Sequence, residues 1–125
     1  MKVEWNTGLI THLGIELLEV TPERVVARLK LDDRLVTVGG TVHGGTLMAF
    51  ADTVGAAGTV ANLAEGQRTA TLESKTNFLA GCRSGYLQAV ATPIHKGKRT
   101  HVWETRITDE SGKLLSITTQ TQMVL

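Results

Sequence analysis

A chain of 125 residues is enough for one domain with one modest core. With 42% hydrophobic and 20% charged residues it is globular rather than disordered. A net charge of +1 without a Lys/Arg run argues against a nucleic-acid partner, and the single Cys82 excludes an internal disulfide framework and a Cys-built zinc site.

In chain order, Trp5 to His12 reads as a short helix or turn before Gly14. Two strands follow, Ile15 to Val20 and Arg24 to Leu31, separated by the turn Thr21-Pro22-Glu23. In the second, Val25, Ala27, Leu29 and Leu31 share one face, while Val26, Arg28 and Lys30 share the other, the alternation of a half-buried strand. Asp32 to Val42 is irregular and contains Gly39-Gly40.

The segment from Gly44 to about Ala64 is too long for a strand and poor in β-branched residues. It is expected to be a helix, with Gly66 as its stop signal. Its only charge is Asp52. The length would suit a membrane span, but the run is rich in Gly, Ala and Thr, lacks a basic flank and carries its charge near the middle, which is costly in lipid. A buried helix of a soluble protein is the expectation, with no membrane partner. No apolar stretch follows the Lys of MKVEWNTG as a signal peptide requires. Together with the lone cysteine this favours the cytoplasm.

Four strand-like runs complete the chain: Arg68 to Leu79, Gly85 to His95, Thr100 to Thr108 and Leu114 to Leu125. In the last, Leu115, Ile117, Thr119, Thr121 and Met123 share one face, and Ser116, Thr118, Gln120 and Gln122 the other. Short turns between successive strands imply an antiparallel sheet. With one long helix, the expectation is an α+β domain over residues 1–125 in which a curved sheet of five to six strands wraps the helix. A helix apolar nearly all round needs burial nearly all round, and one sheet covers one side. A second copy of the chain is expected to cover the rest.

His43-Gly44-Gly45 opens the helix, and Asp52 stands nine residues after the His. The free N–H groups of a first helical turn, at the positive end of its dipole, suit an oxygen gaining negative charge. Glycine there lets another molecule approach. Asp52 lies eight residues beyond Gly44, which is roughly 80° around and ~12 Å along the axis. The carbon attacked and the oxygen stabilised are only ~3 Å apart, so both features serve one carbonyl only if two helices lie antiparallel across a two-fold axis. Read alone, the glycine pair is a tight turn, Asp52 caps a loop or pairs with Arg, and His43 braces a neighbouring loop. Those readings stay open at this point.

The motif VHGGTLMAFADTVG, followed by TATLESKTNFL, resembles the hotdog-fold thioesterases, nearest to the phenylacetate-pathway-like and aryl-CoA branch, over most of the chain from about Gly14 to Leu125. The resemblance implies hydrolysis of an acyl-CoA, with coenzyme A as part of the substrate and no other cofactor or metal. It implies Asp52 as nucleophile or general base, the Gly44 N–H on the thioester carbonyl, His43 supporting the helix entry, and a site shared between subunits of a dimer or a tetramer. Where the family has Asn or Gln six residues before the His, this chain has Thr37. Where some aryl-CoA members carry Ser or Thr four residues after the acid, it has Ala56. Thr71, seven residues before Phe78, matches a water-positioning hydroxyl of another branch.

Gly45 is expected to contact the substrate, and Leu47, Met48, Phe50 and Phe78 to wall the acyl pocket. In IHKGKRTH, Lys96, Lys98, Arg99 and His101 are candidates for the CoA phosphates, with Lys75 and Arg83 as further ones. The alternatives are an acyl-CoA-binding module without catalysis, kept open by Thr37, and a hydratase or dehydratase. The latter normally needs a catalytic His in a different spacing from its Asp.

Overall fold

The computed structural model describes residues 3–125. Helix α1 spans Gly8–Leu13 and α2 spans Gly44–Val60. The strands are β1 Glu16–Thr21, β2 Arg24–Lys30, β3 Thr69–Phe78, β4 Tyr86–Lys96, β5 Thr100–Thr108 and β6 Leu114–Val124. All neighbours pair antiparallel in one six-stranded sheet of order β1-β2-β4-β5-β6-β3. The concave face wraps α2, which packs against every strand. This is the wrapped α+β arrangement expected from the residues, and the hotdog fold that the resemblance implies.

Alternation decides which side chains meet the helix. Val25, Ala27 and Leu29 of β2, Leu87, Ala89 and Ala91 of β4, and Trp103 and Ile107 of β5 are buried with Phe50, Val54 and Ala57 of α2. Small residues on α2 make the fit close: a Cβ on Gly58 would run into the Trp103 ring, and one on Gly55 into the Gln120 carboxamide. Strand β6 turns the polar members of its alternation inward. Ser116, Thr118, Gln120 and Gln122 are buried against the helix, while Thr119 is exposed.

The helix ends earlier than its apolar run suggests. It closes at Val60, not near Ala64. The Asn62 side chain donates to the Gly58 and Pro22 carbonyls at 2.8 and 3.0 Å, and the Asn62 and Leu63 N–H groups bond three residues back. These bonds take the carbonyls that another turn would use. Gly66 serves instead in the turn into β3, at φ +85°.

The sheet leaves one stripe of α2 uncovered. Gly45, Met48, Ala49, Asp52, Ala56 and Val60 are half-buried or exposed and share one face, linked by i, i+3 and i, i+4 steps. Strand β3 borders this stripe at the end of the sheet, and among the described residues no strand pairs its outer edge.

Candidate active site

The entry to α2 is fixed by its sequence. His43 adopts an extended conformation as N-cap, and its Nδ1 accepts the Gly45 N–H at 2.7 Å. Its backbone N–H bonds to the Leu35 carbonyl, which also accepts from Thr46 Oγ1, and Val42 N–H bonds to the Cys82 carbonyl. The Thr46 and Leu47 N–H groups bond to the His43 carbonyl. That leaves the Gly44 N–H, for which no acceptor stands among the described residues. A free N–H at the positive end of a seventeen-residue helix can take a carbonyl oxygen and strengthen its hold as charge builds there. The Phe78 ring lies against Gly44, where a Cβ would stand 3.1 Å from it, and the ring is 52% exposed.

Asp52 stands on the uncovered stripe, not inside the core as its apolar surroundings suggest. Its Oδ1 accepts from Thr71 Oγ1 at 3.0 Å and lies 3.4 Å from Gln120 Nε2. Thr71 also meets Gln122 Oε1 at 2.6 Å, its cross-strand partner in the β3–β6 register. Seven residues, an odd number, separate Thr71 from Phe78, so a regular strand would put them on opposite faces. The register shifts between Thr71 and Glu73, with Leu72 as the extra, exposed residue. This bulge restores the phase. One strand thereby sends Thr71 to Asp52 and Phe78 to the helix start.

The other residues singled out in the sequence fall into two groups. Met48 is 41% exposed beside the helix entry, whereas Leu47, at 2%, and Phe50 belong to the chain's own core and line no surface site. The helix is apolar on nearly all sides, so composition could not separate these neighbours. The Gly45 N–H is spent on the cap. Thr37 is held in its own loop: its hydroxyl accepts the Gly39 N–H at 3.2 Å and lies 3.4 Å from Thr41 Oγ1. Arg83 donates to the Gly39 carbonyl at 3.0 Å, and Lys75 lies exposed on β3.

The basic turn sits at the far end of α2. Lys96 bonds there to Asn62 Oδ1 and Glu23, while Lys98 and Arg99 project outward, exposed. His101 points inward and is buried, its Nδ1 3.1 Å from the Thr59 hydroxyl, which accepts from Trp103 Nε1 at 3.0 Å. His101 is therefore part of the packing and no phosphate ligand. The turn is ~24 Å along the helix from Gly44. An open hollow of about 420 Å³ beside Thr41, Cys82, Arg83 and Lys113 does not include Asp52.

Sequence reasoning missed Gln120 and Gln122. The alternation of β6 separates them from Thr119 and Thr121, but only the structure shows that this polar half faces the helix, with Gly55 making room for Gln120.

The pattern of the thioesterase superfamily matches residues 39–116. The chain is 38% identical over 119 residues to ComA2 of Bacillus subtilis, covering 94% of each. It is 34% identical over 110 residues to the 1,4-dihydroxy-2-naphthoyl-CoA hydrolase of Listeria monocytogenes, covering 88% of this chain and 89% of that protein. The crystal structure of a thioesterase from Haemophilus influenzae superposes with a TM-score of 0.89 at 33% identity, covering 94% of this chain and 82% of the other. Helix entry, acid and wrapped sheet lie within this likeness, and the chain belongs to the thioesterase superfamily and, with it, to the thioester hydrolases.

Proposed function

We propose that the chain hydrolyses an acyl-CoA at a site shared between two copies, with the thioester carbonyl on the Gly44 N–H of one and Asp52 of the other beside the carbonyl carbon. The observation that carries this reading is an N–H without an acceptor among the described residues at the start of α2, together with a carboxylate on the uncovered stripe ~12 Å further along the axis. That separation is too long for one carbonyl and is bridged if two stripes meet antiparallel. The edge of β3 borders the stripe, so two sheets can join there while the helices pack, and a dimer is the minimum assembly. With the helices so arranged, the Lys98–Arg99 turn of the copy that supplies Asp52 lies ~12 Å further along, suited to the phosphates of a CoA tail.

Asp52 either attacks the carbonyl carbon, giving an anhydride that water cleaves, or takes a proton from water that attacks directly. The hydrolase relative from Listeria monocytogenes supports a CoA thioester as the substrate class. Met48 and Phe78 offer apolar contact to the acyl group beside the carbonyl. The second reading, an acyl-CoA-binding module, is favoured by one observation: the Thr37 hydroxyl is spent within its own loop, so the amide that relatives place there has no equivalent. Thiol release from a panel of acyl-CoA thioesters, by wild type and by Asp52→Asn and Asp52→Ala, separates the two. A protein that binds CoA yet releases no thiol in any form is a binder.

A further inference from the structure

Behind Asp52 lies a polar network, buried at Gln120 and Gln122, that the hydrolytic reading leaves unused. Thr71 Oγ1 is 3.0 Å from Asp52 Oδ1 and 2.6 Å from Gln122 Oε1. A hydroxyl has one hydrogen, so it donates to one of these oxygens at a time. Gln122 is held from two sides: its Nε2 donates to Thr69 Oγ1 at 3.0 Å, and its Oε1 accepts from Gln120 Nε2 at 2.9 Å. Gln120 Nε2 also reaches the Asp52 carbonyl at 3.2 Å.

Amide oxygen and nitrogen are assigned by such partners, and here the partners leave one choice. Turning Gln122 over sets two NH₂ groups 2.9 Å apart, turning Gln120 over sets two carboxamide oxygens at that distance, and turning both sets the Gln120 oxygen against two oxygens of Asp52. Gln120 and Gln122 are 0% and 1% exposed, a costly place for two carboxamides. Gly55, lacking a Cβ, makes the room.

We propose that Gln122 is a positioning residue for Asp52, acting through the Thr71 hydroxyl, with Gln120 fixing the Gln122 amide. The proposal rests on Asp52 acting as described above, by the general-base route. While Asp52 is ionised, Thr71 donates to it, because a carboxylate is the stronger acceptor. When Asp52 Oδ1 takes a proton from water, the water O–H bond breaks and its oxygen bonds the thioester carbon. The carbonyl π pair moves onto the oxygen at the Gly44 N–H. Asp52 O–H then donates to Thr71 Oγ1, and the Thr71 hydroxyl turns to Gln122 Oε1. When the carbonyl re-forms and the C–S bond breaks, the departing thiolate takes the proton from Asp52. No heavy atom of the network moves: the Thr71 hydroxyl turns, and the Asp52 carboxyl proton turns to Thr71 and back to the thiolate.

The test is kinetic. Gln122→Met removes the amide at nearly constant volume and is expected to lower kcat about tenfold, one hydrogen bond's worth, with KM held within about twofold. Thr71→Val, on an exposed strand, is expected to do the same. The double variant should be no slower than the slower single one, since one residue acts through the other. Thr69→Val, an isosteric strand substitution, loosens the Gln122 amide and carries the test should Gln122→Met fail to fold. Wild-type kcat in folded Gln122→Met, or in Thr69→Val in its place, overturns the proposal, as do losses that multiply in the double variant. Asp52→Asn measured alongside keeps the two ideas apart: full activity there removes the proposed site itself. An inactive Asp52→Asn beside a fully active Gln122→Met removes only the positioning role.

Discussion

The imidazole of His43 accepts the N–H of Gly45, two residues on, at 2.7 Å, and the Gly44 N–H between them has no acceptor among the described residues. The contact makes His43 an N-cap whose Nδ1 carries no hydrogen. His43→Ala is expected to destabilise the fold by about 1 kcal/mol, while His43→Asn, which keeps a cap acceptor, recovers most of it. Thermal unfolding of the two variants measures this. Equal melting of His43→Ala and wild type would show that the cap contributes nothing.

The uncovered stripe of α2 predicts its own disruption. Ala56 lies on it and takes no part in the core. Ala56→Glu should leave the single chain folded and place a charge where two stripes meet. The expected result in light scattering after size exclusion is a fall to the mass of one chain, together with loss of thioester hydrolysis. Unchanged mass and activity would remove the shared site.

Lys98 and Arg99 are exposed at the turn after β4. Reversing both charges is expected to raise KM for an acyl-CoA about tenfold, in line with the loss of charge-assisted contacts. The same acyl group on N-acetylcysteamine lacks the phosphates and should show no change. A parallel rise for both thioesters would place the turn's effect elsewhere.

His101 carries a pH dependence. Its burial, with Lys96 and His95 adding positive charge nearby, lowers its pKa below the ordinary imidazole value. The unfolded chain therefore binds a proton at a higher pH than the folded one, and stability falls as pH drops below about 6.5. Melting temperatures from pH 7.5 to 5.5 should decline in wild type and decline less in His101→Asn. Identical slopes would show that His101 contributes nothing to the decline. Asp32 and Asp109, whose pKa values are lowered by hydrogen bonds from Arg34 and Ser111, act only at more acidic pH.

Much of this architecture was legible in the residues. The small-residue run after His43 reads as a helix because nothing else accommodates it, and the alternation of Val25, Ala27 and Leu29 marks the face that α2 covers. Thr71 stood out only by resemblance, as a water-positioning hydroxyl; its bond to Asp52 and its place on an edge strand come from the structure. Its phase with Phe78 was not legible, because the bulge at Leu72 is an event of strand pairing and carries no residue signature. The end of α2 escaped for a similar reason: Asn62 stops it through the Pro22 carbonyl, forty residues away in the chain. Gln120 and Gln122 look like solvent-facing polar residues until Gly55 is seen to make space for one of them.

Whether Asp52 drives thioester hydrolysis is measured most directly by thiol release from an acyl-CoA panel by wild type and Asp52→Asn. Wild type is expected to turn over at least one thioester, and Asp52→Asn to be slower by a factor of about 10² to 10⁴ in kcat with CoA binding intact. An Asp52→Asn variant as fast as wild type, or a wild type that binds CoA and cleaves nothing, would contradict that role.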